Sequence, residues 1–436
     1  MLGGIFGWLV PDLAVKMQPL ADMFLRMIKM IIAPLIFATL VVGIAGHGDM
    51  KSLGKIGLKT FVYFGTVTTI ALIWGLAVGN LTRPGTGFNI DVDNVSLSAI
   101  ESMKNIQVNN SISDFIANTI PTSIFDAMAS GNLLQIVVFS VFFAVAICAI
   151  GKKAKPVLDF LQSTCDIMFT FTKYVMLFAP LGVFGAIAAT IGQNGIGILV
   201  QYIKFIAITY SALLTFVLVV LLGVCKIIRV PFFSMVRALK DPALLAFSTA
   251  SSEAALPKAM DVMEKFGVPK NIVSFVMPTG YTFNLDGSTL YLALGVMFCT
   301  QIIGVELTLS QQLIMMLTLM LTSKGIAGVP RVSLVVLTGT LFTFGYPAVG
   351  VAILLGIDQI LDMGRTTVNL IGNCVATTVV ARWEGEFDDE KMEAYMENAI
   401  RAGKKNKHMQ RIPKEILEYK PEVADTPTID PVDSLK

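Results

Sequence analysis

The sequence predicts an all-α polytopic membrane protein with eight transmembrane helices, the first of them truncated, and two re-entrant helical hairpins. Hydrophobic residues make up 54% of the 436 positions and charged residues only 15%, whereas a soluble domain carries about 25% charged residues. Apolar stretches long enough to cross a bilayer, which needs about 20 residues, recur along the chain as far as residue 381. The net charge of +2 gives no reason to expect a nucleic-acid partner.

Residues 1–10 are apolar but too short to span, and they lack the basic start and cleavage site of a signal peptide. We expect either the end of a longer helix or an interfacial segment there. The predicted spans that follow are 17–46, 51–81, 132–150, 157–191, 196–224, 271–303 and 354–381. From residue 382 onward the composition predicts a charged helical stretch and then a disordered end.

The distribution of Lys and Arg predicts the two hairpins. Short basic connections mark the cytoplasmic side of a membrane protein, and here they are 47–59, 151–155, 226–240 and 258–270. The spans then alternate correctly only if 241–260 enters and leaves from the cytoplasm and 313–345 enters and leaves from outside. Both tips are rich in small hydroxyl residues, Gly and Pro, and irregular backbone at membrane depth needs a cavity or a protein environment. The alternative is two ordinary helix pairs, which would need a basic loop outside.

The last span carries a polar stripe. Its five polar residues follow each other at steps of four, three, four and four, which places them within a sector of roughly 80° on a helix. They are Asp358, Asp362, Arg365, Asn369 and Asn373. Charged residues inside a membrane usually face the bundle interior and mark a functional site. The alternative is a structural Asp362–Arg365 pair that neutralises itself, but the two amides need no neutralising and favour the functional interpretation.

A second polar constellation lies in segment 277–288, which reads MPTGYTFNLDGS. Pro278, Gly280 and Gly287 interrupt an apolar helix around Asn284 and Asp286. Freed carbonyls beside a buried carboxylate suit a small hard cation. The alternative is a simple kink with a solvated Asp, but a kink alone does not require Asp286. Hairpin, broken helix, hairpin and charged helix also form an internal inverted repeat, in which substrate and ions bind near the midplane.

These motifs resemble the dicarboxylate/amino acid:cation symporter family over nearly the whole chain, from residue 17 to about 384. The motifs that carry the resemblance are 250–252 (ASS), 284–288 (NLDGS), 325–330 (GIAGVP) and 362–366 (DMGRT) followed by Asn369. The resemblance implies that Arg365 binds the side-chain carboxylate of the substrate and Asp362 its α-amino group. The remaining substrate-binding residues that it implies are Ser251, Ser252, Ser288, Val329, Thr366 and Asn369.

The same resemblance implies Na⁺ as the coupling ion, with H⁺ as an alternative or additional coupling ion. The implied ion-binding positions are Gly280, Thr282, Asn284, Asp286, Ser323, Lys324, Ile326, Asn369, Asn373 and Thr68. The chain departs from the family pattern at four of the relevant positions. Asn373 stands where sodium-coupled members have Asp, Phe64 and Val67 replace Tyr and Thr at a third cation site, and Leu292 replaces a proton-carrying Glu. The number and identity of the coupling ions therefore stay open.

The function that the resemblance implies is secondary active symport of L-glutamate and L-aspartate, with C4-dicarboxylates such as succinate as the alternative substrates. Asp362 favours amino acids, because an α-ammonium group needs an anion that would repel a dicarboxylate. The resemblance further implies a homotrimer in the cell membrane, a cytoplasmic C-terminus and an elevator mechanism. Its scaffold parts would be residues 1–50 and 83–195, its transport parts 51–82 and 196–381, and its tail 382–436.

Three other classes of membrane protein fit the sequence less well. A channel lines its pore with repeated carbonyl or acidic rings, which one Asp/Arg stripe does not provide. An intramembrane enzyme needs a nucleophile with its base or a set of metal ligands, but His47 and His408 lie in polar connections and the five cysteines form no CxxC pair. An ATP-driven pump is disfavoured because no GxxxxGK[ST] motif is present.

Overall fold

The computed structural model describes residues 2–45, 54–87, 120–130, 133–323 and 332–397, which form α-helices and short connections without any β-strand. The helices of the first half are α1 Leu2–Leu9, α2 Pro11–Val15, α3 Gln18–Ala45, α4 Gly54–Thr82, α5 Ile124–Ser130, α6 Leu133–Ile150, α7 Lys155–Met176 and α8 Ala179–Asn194. The all-helical prediction is thus confirmed for the part of the chain that is described.

The second half continues with helices of more varied length. They are α9 Ile198–Phe216, α10 Leu222–Ile227, α11 Phe232–Ala238, α12 Lys240–Thr249, α13 Ser252–Lys265, α14 Lys270–Phe283, α15 Asp286–Ile302, α16 Leu309–Thr322, α17 Val332–Thr343, α18 Val349–Leu355 and α19 Asp358–Glu384. A π-helical turn, Val217–Leu221, joins α9 to α10. Residues 389–397 form a helix within a separate unit of the chain.

Four helical stretches within the described residues are long and apolar enough to cross a membrane by length and composition. They are Lys55–Thr82, Gln135–Thr172, Ile198–Ile227 and Lys270–Ile302. The last of these is 94% buried inside the protein over its apolar window, whereas the second is 28% buried. The helices therefore include both a sheltered interior and faces that suit lipid, as expected of a polytopic membrane protein.

Helices α15 and α19 form the interior of the larger group of helices. Helix α19 packs against α4, α9, α12, α13, α14 and α15, and α15 packs most extensively against α4. A second group surrounds α3, which packs against α6, α7 and α8, while α1 and α2 lie on α8. Close approach there depends on small residues, since a Cβ on Gly3 or Gly7 would collide with carbonyl oxygens of α8.

Helix α4 is fastened at both of its ends. Near its start, the Lys59 ammonium group forms an ion pair of 2.7 Å with Glu384 and donates a hydrogen bond to the carbonyl of Trp383, both at the end of α19. Near its other end, Asn80 and Gln312 of α16 exchange two amide hydrogen bonds of 2.8 and 3.1 Å. These contacts join α4 to helices that are more than 200 residues away in sequence.

Three predicted spans differ from the helices that form. The span 157–191 is two helices, because Pro180 and the turn before it start α8 separately. The break in 271–303 lies at Asn284 and Leu285, since α14 accommodates Pro278 and Gly280 within its length. The span predicted over 354–381 begins only at Asp358, after a turn at Gly356 and Ile357.

The two predicted hairpin segments each contain a pair of helices in mutual contact. Helices α12 and α13 meet at Ala250, a non-glycine residue in the left-handed conformation with φ +49°, followed by Ser251 as the N-cap of α13. Helices α16 and α17 also pack together, but residues 324–331 between them lie outside the described residues. Re-entry into a membrane stays a prediction for both.

Candidate functional site

Arg365 lies at the centre of the polar stripe and is fully buried, with 0% of its surface exposed. Its Nη2 donates hydrogen bonds to a carboxylate oxygen of Asp362 at 2.8 Å and of Asp358 at 3.0 Å. The guanidinium carbon lies 4.0 Å from the centroid of the Tyr291 ring on α15, a cation–π geometry. Two acids and one aromatic face therefore hold the cation in one orientation.

The other two nitrogens of the same guanidinium differ from Nη2 in their hydrogen bonding. Nε and Nη1 of Arg365 have no hydrogen-bond partner among the described residues, although both are buried. A buried N–H group without a partner costs about 1–3 kcal/mol, and more on a charged group. Nε and Nη1 lie on different edges of the guanidinium, and each can donate a charge-assisted hydrogen bond to a carboxylate oxygen. Arg365 therefore retains donors that can receive an anion.

The backbone of α19 is held near this cluster by α9. The Tyr210 hydroxyl donates a 2.6 Å hydrogen bond to the carbonyl of Ile360, and its ring lies where a Cβ on Gly364 would come within 3.0 Å of it. Gly364 thus allows a tyrosine to lie directly against the helix one residue before Arg365. The contact fixes the turn of α19 that carries Asp362 and Arg365.

A second polar cluster lies where α14 gives way to α15. The Asn284 amide donates to Asp286 at 3.3 Å and to the Asn373 side-chain oxygen of α19 at 3.2 Å. All three residues are 0% exposed. The Asn284 side-chain oxygen and the Asn373 side-chain nitrogen have no hydrogen-bond partner among the described residues. The cluster thus combines one carboxylate with amide groups that retain bonding capacity.

Two glycines make room for this cluster in a reciprocal way. A Cβ on Gly280 of α14 would overlap the side-chain amide of Asn373 of α19. A Cβ on Gly372 of α19 would in turn overlap the carboxylate of Asp286 on α15. Each glycine therefore leaves the space that a polar side chain from the opposite helix occupies, which is why α19 can lie so close to the break.

Asn369 caps the start of α15 from the neighbouring helix. Its side-chain oxygen accepts hydrogen bonds from the backbone N–H groups of Gly287 at 2.8 Å and Ser288 at 3.1 Å, and its amide donates to the Ser288 hydroxyl at 3.0 Å. The first N–H groups of a helix have no partner inside it, and the residue at the N-cap position here, Leu285, cannot supply one. A residue 81 positions away performs the capping.

The remaining predicted site residues lie at several depths around these two clusters. Ser252 and Thr366 are buried, with 3% and 5% of their surface exposed, and Ser251 caps α13 through its hydroxyl. Thr68 of α4 is fully buried, Thr282 is partly buried two residues before the break, and Ser323 ends α16. Lys324, Ile326 and Val329 lie outside the described residues.

The structure therefore brings Asp362, Arg365, Asn369, Ser288, Asn284, Asp286 and Asn373 into two adjacent buried clusters along α19. The sequence patterns indicated no specific role for Asp358, which binds Arg365, and they did not single out Tyr291. Asp358 could have been paired with Arg365 from the seven-residue spacing, which places both on one helix face. No local signal in the sequence points to Tyr291.

Comparison with known proteins identifies the family to which the chain is similar. A profile described as the Sodium:dicarboxylate symporter family matches residues 1–383. The chain is 47% identical to the "Proton/sodium-glutamate symport protein" of Bacillus caldotenax, over 88% of this chain and 92% of that protein. It is 43% identical to the "Proton/glutamate-aspartate symporter" of Escherichia coli, over 89% of each chain. It is also 42% identical to the "C4-dicarboxylate transport protein" of Brucella anthropi, over 90% of this chain and 89% of that one.

Proposed function

The chain belongs to the sodium:dicarboxylate symporter family, and from that premise we propose that it takes up L-glutamate and L-aspartate by symport with Na⁺, H⁺ or both. The observation that carries the proposal is the buried Arg365, whose Nε and Nη1 have no hydrogen-bond partner among the described residues. The relatives named as glutamate symporters support the same substrate. The protein acts as a transporter and not as an enzyme.

An acidic amino acid carries the groups that complement this site. Its side-chain carboxylate accepts a charge-assisted hydrogen bond from Nε or Nη1 of Arg365, the two guanidinium nitrogens that have no hydrogen-bond partner among the described residues. Its α-ammonium group binds Asp362, which lies within hydrogen-bond distance of the same arginine. Its α-carboxylate is held by hydroxyl, amide and backbone groups of six residues. They are Ser251, Ser252, Ser288, Val329, Thr366 and Asn369.

The second cluster binds the coupling ions. Asp286 supplies a negative charge, and the Asn284 side-chain oxygen has no hydrogen-bond partner among the described residues. Oxygen ligands of this kind suit Na⁺, with further oxygens from Gly280, Thr282 and Asn369 and from Thr68 of α4. Ser323, Lys324 and Ile326 contribute a second sodium site through backbone carbonyls. Asn373 brings no charge to its site, where sodium-coupled members of the family have Asp. Transport is therefore coupled to fewer Na⁺ ions than in those members, or to a proton.

The family architecture gives these sites a way to face both sides of the membrane. Residues 51–82 and 196–381 form the transport domain, and 1–50 with 83–195 form the scaffold through which three copies associate. Segments 241–260 and 313–345 are the re-entrant hairpins, and the second opens to the outside. The transport domain slides through the bilayer as one body. The protein lies in the cell membrane, and its tail from residue 382 lies in the cytoplasm.

C4-dicarboxylates are the second candidate substrates, because relatives at 41–42% identity are named for their transport. Asp362 decides between the two classes. An amino acid gains an ion pair from this carboxylate, whereas succinate gains only repulsion. Asp362 therefore favours the amino-acid substrates over the dicarboxylates.

Uptake into proteoliposomes tests the proposal directly. Labelled aspartate, glutamate and succinate are supplied separately, while inward gradients of Na⁺ and of protons are imposed independently. We expect accumulation of glutamate and aspartate driven by one or both gradients, and weaker uptake of succinate. Accumulation of succinate alone would replace the amino-acid assignment with the dicarboxylate one. Substrate-independent current without accumulation would overturn symport altogether.

A further inference from the structure

We propose that Asp358 is a positioning residue for the substrate-binding arginine and that its charge selects acidic amino acids over dicarboxylates. The inference rests on the proposed function and adds to it a second determinant of substrate class. Asp358 is the first residue of α19, is 0% exposed and lies 3.0 Å from Arg365 Nη2. It is thus part of the buried cluster, although the substrate groups assigned above do not need it as a ligand.

The geometry gives Asp358 a task that Asp362 cannot perform alone. Both carboxylates accept from the same nitrogen, Nη2, so that the donors on Nε and Nη1, which lie on different edges of the guanidinium, remain for the substrate carboxylate. When the α-ammonium group of the substrate binds Asp362, that carboxylate divides its bonding between two cations. Asp358 is then the acid that keeps the guanidinium in its plane against Tyr291.

The position of Asp358 on its helix favours the charged form that this role requires. The first turn of an α-helix attracts negative charge, since its N–H groups point toward it and the helix dipole is positive there. Asp358 occupies that turn in α19. The helix therefore supports an anion in a buried place where an isolated carboxylate would be costly.

The charges of the cluster provide the selectivity. Arg365 contributes one positive charge, while Asp358 and Asp362 contribute two negative charges, and all three residues are at most 5% exposed. A zwitterionic glutamate brings a net charge of −1 into this field and succinate brings −2. At an effective dielectric constant of about 20, two unit charges still interact by about 1.4 kcal/mol at about 12 Å, which corresponds to a tenfold change in affinity, and they interact more strongly when they are closer. Removing one buried charge within this range therefore changes binding at least about tenfold for each unit of ligand charge.

The test compares three substitutions of Asp358 with the wild-type protein. Asp358→Asn keeps an oxygen that can accept from Arg365 but removes the charge. Asp358→Glu keeps the charge, and Asp358→Ala removes both charge and acceptor. Asp261→Asn, at an exposed acid on α13, is the control for loss of one charge elsewhere. Each variant is assayed for glutamate uptake with succinate as competitor, and for binding of both ligands in detergent solution.

For Asp358→Asn we expect retained glutamate uptake and a shift of at least about tenfold in the glutamate-to-succinate affinity ratio toward succinate. Asp358→Glu and Asp261→Asn should leave this affinity ratio unchanged. Asp358→Ala should lower the affinity for each of the two ligands by tenfold or more. The binding measurement gives the ratio even for a variant that binds without transporting. If Asp358→Asn does not fold, Asp358→Glu tests the proposal instead. Because Glu keeps the charge, a glutamate-to-succinate affinity ratio shifted toward succinate in this variant overturns selection by charge.

Three results would separate this inference from the proposed function. Wild-type protein that takes up neither glutamate nor aspartate would overturn the proposed function itself. Wild-type uptake of glutamate together with an unchanged ratio in Asp358→Asn would overturn only the selective role of Asp358. Wild-type affinity for both ligands in Asp358→Ala would overturn its positioning role and its selective role together, because that variant also lacks the charge.

Discussion

Replacing Arg365 by Ala should abolish uptake of acidic substrates and also destabilise the protein. The substitution leaves Asp358 and Asp362 buried on one face of α19 without the cation that lies 3.0 and 2.8 Å from them. Removing one partner of a buried ion pair costs about 3–5 kcal/mol, because the remaining charge stays uncompensated. We therefore expect a clear fall in the thermal unfolding temperature in detergent, beside the loss of uptake.

A double variant separates the two effects of this substitution. In Arg365→Ala combined with Asp358→Asn, one of the two uncompensated charges is gone, so the coupling between the two sites should return about 1–3 kcal/mol of stability. Uptake should stay absent, since the carboxylate of the substrate still has no partner. Arg365→Ala with normal aspartate affinity would refute the assignment of Arg365. A double variant no more stable than Arg365→Ala would refute the account of the buried charges.

Three further predictions follow from the contacts of the site. Asp362→Asn should weaken binding of glutamate more than binding of succinate in competition assays, and equal losses would remove the reason to favour an amino acid. Gly280→Ala should lower the free energy of unfolding by about 1–3 kcal/mol, because the added methyl group overlaps Asn373, and it should weaken the dependence of uptake on Na⁺. The control is Gly223→Ala, whose methyl group meets open space and should change neither property. Asn369→Leu should lower the free energy of unfolding by about 2–5 kcal/mol, because two buried N–H groups at the start of α15 lose their partner. A thermal unfolding temperature equal to that of the wild type would contradict the capping role.

The periodic parts of the sequence predicted their elements closely. The spans 17–46 and 51–81 correspond to α3 and α4, Gln18–Ala45 and Gly54–Thr82. The stripe along α19 was also predictable, since residues at steps of three and four share a helix face regardless of what packs there. Helix formation and helix faces depend on local pattern, which the sequence carries directly.

The positions of the helix breaks were harder to predict, since they depend on distant residues. Pro278 and Gly280 suggested a break, but α14 continues past both of them to Phe283. The chain opens instead at Asn284, where Asn369 of α19 caps the helix that follows. A cap that comes from 81 residues away has no signature in the local sequence. The same holds for Tyr291, which faces Arg365 from another helix.

The attachment of α4 at both ends provides a practical way to observe motion. Because Lys59 binds the end of α19 and Asn80 binds α16, a fluorophore on α4 would report displacement of the site without touching it. Val62 offers a suitable attachment point, as it is 54% exposed. Cys148 would first be replaced, since it is the exposed member of the five cysteines, all of which the structure describes. Single-molecule distance measurements between such labels in the proposed assembly of three copies could then follow each transport cycle in an otherwise unmodified binding site.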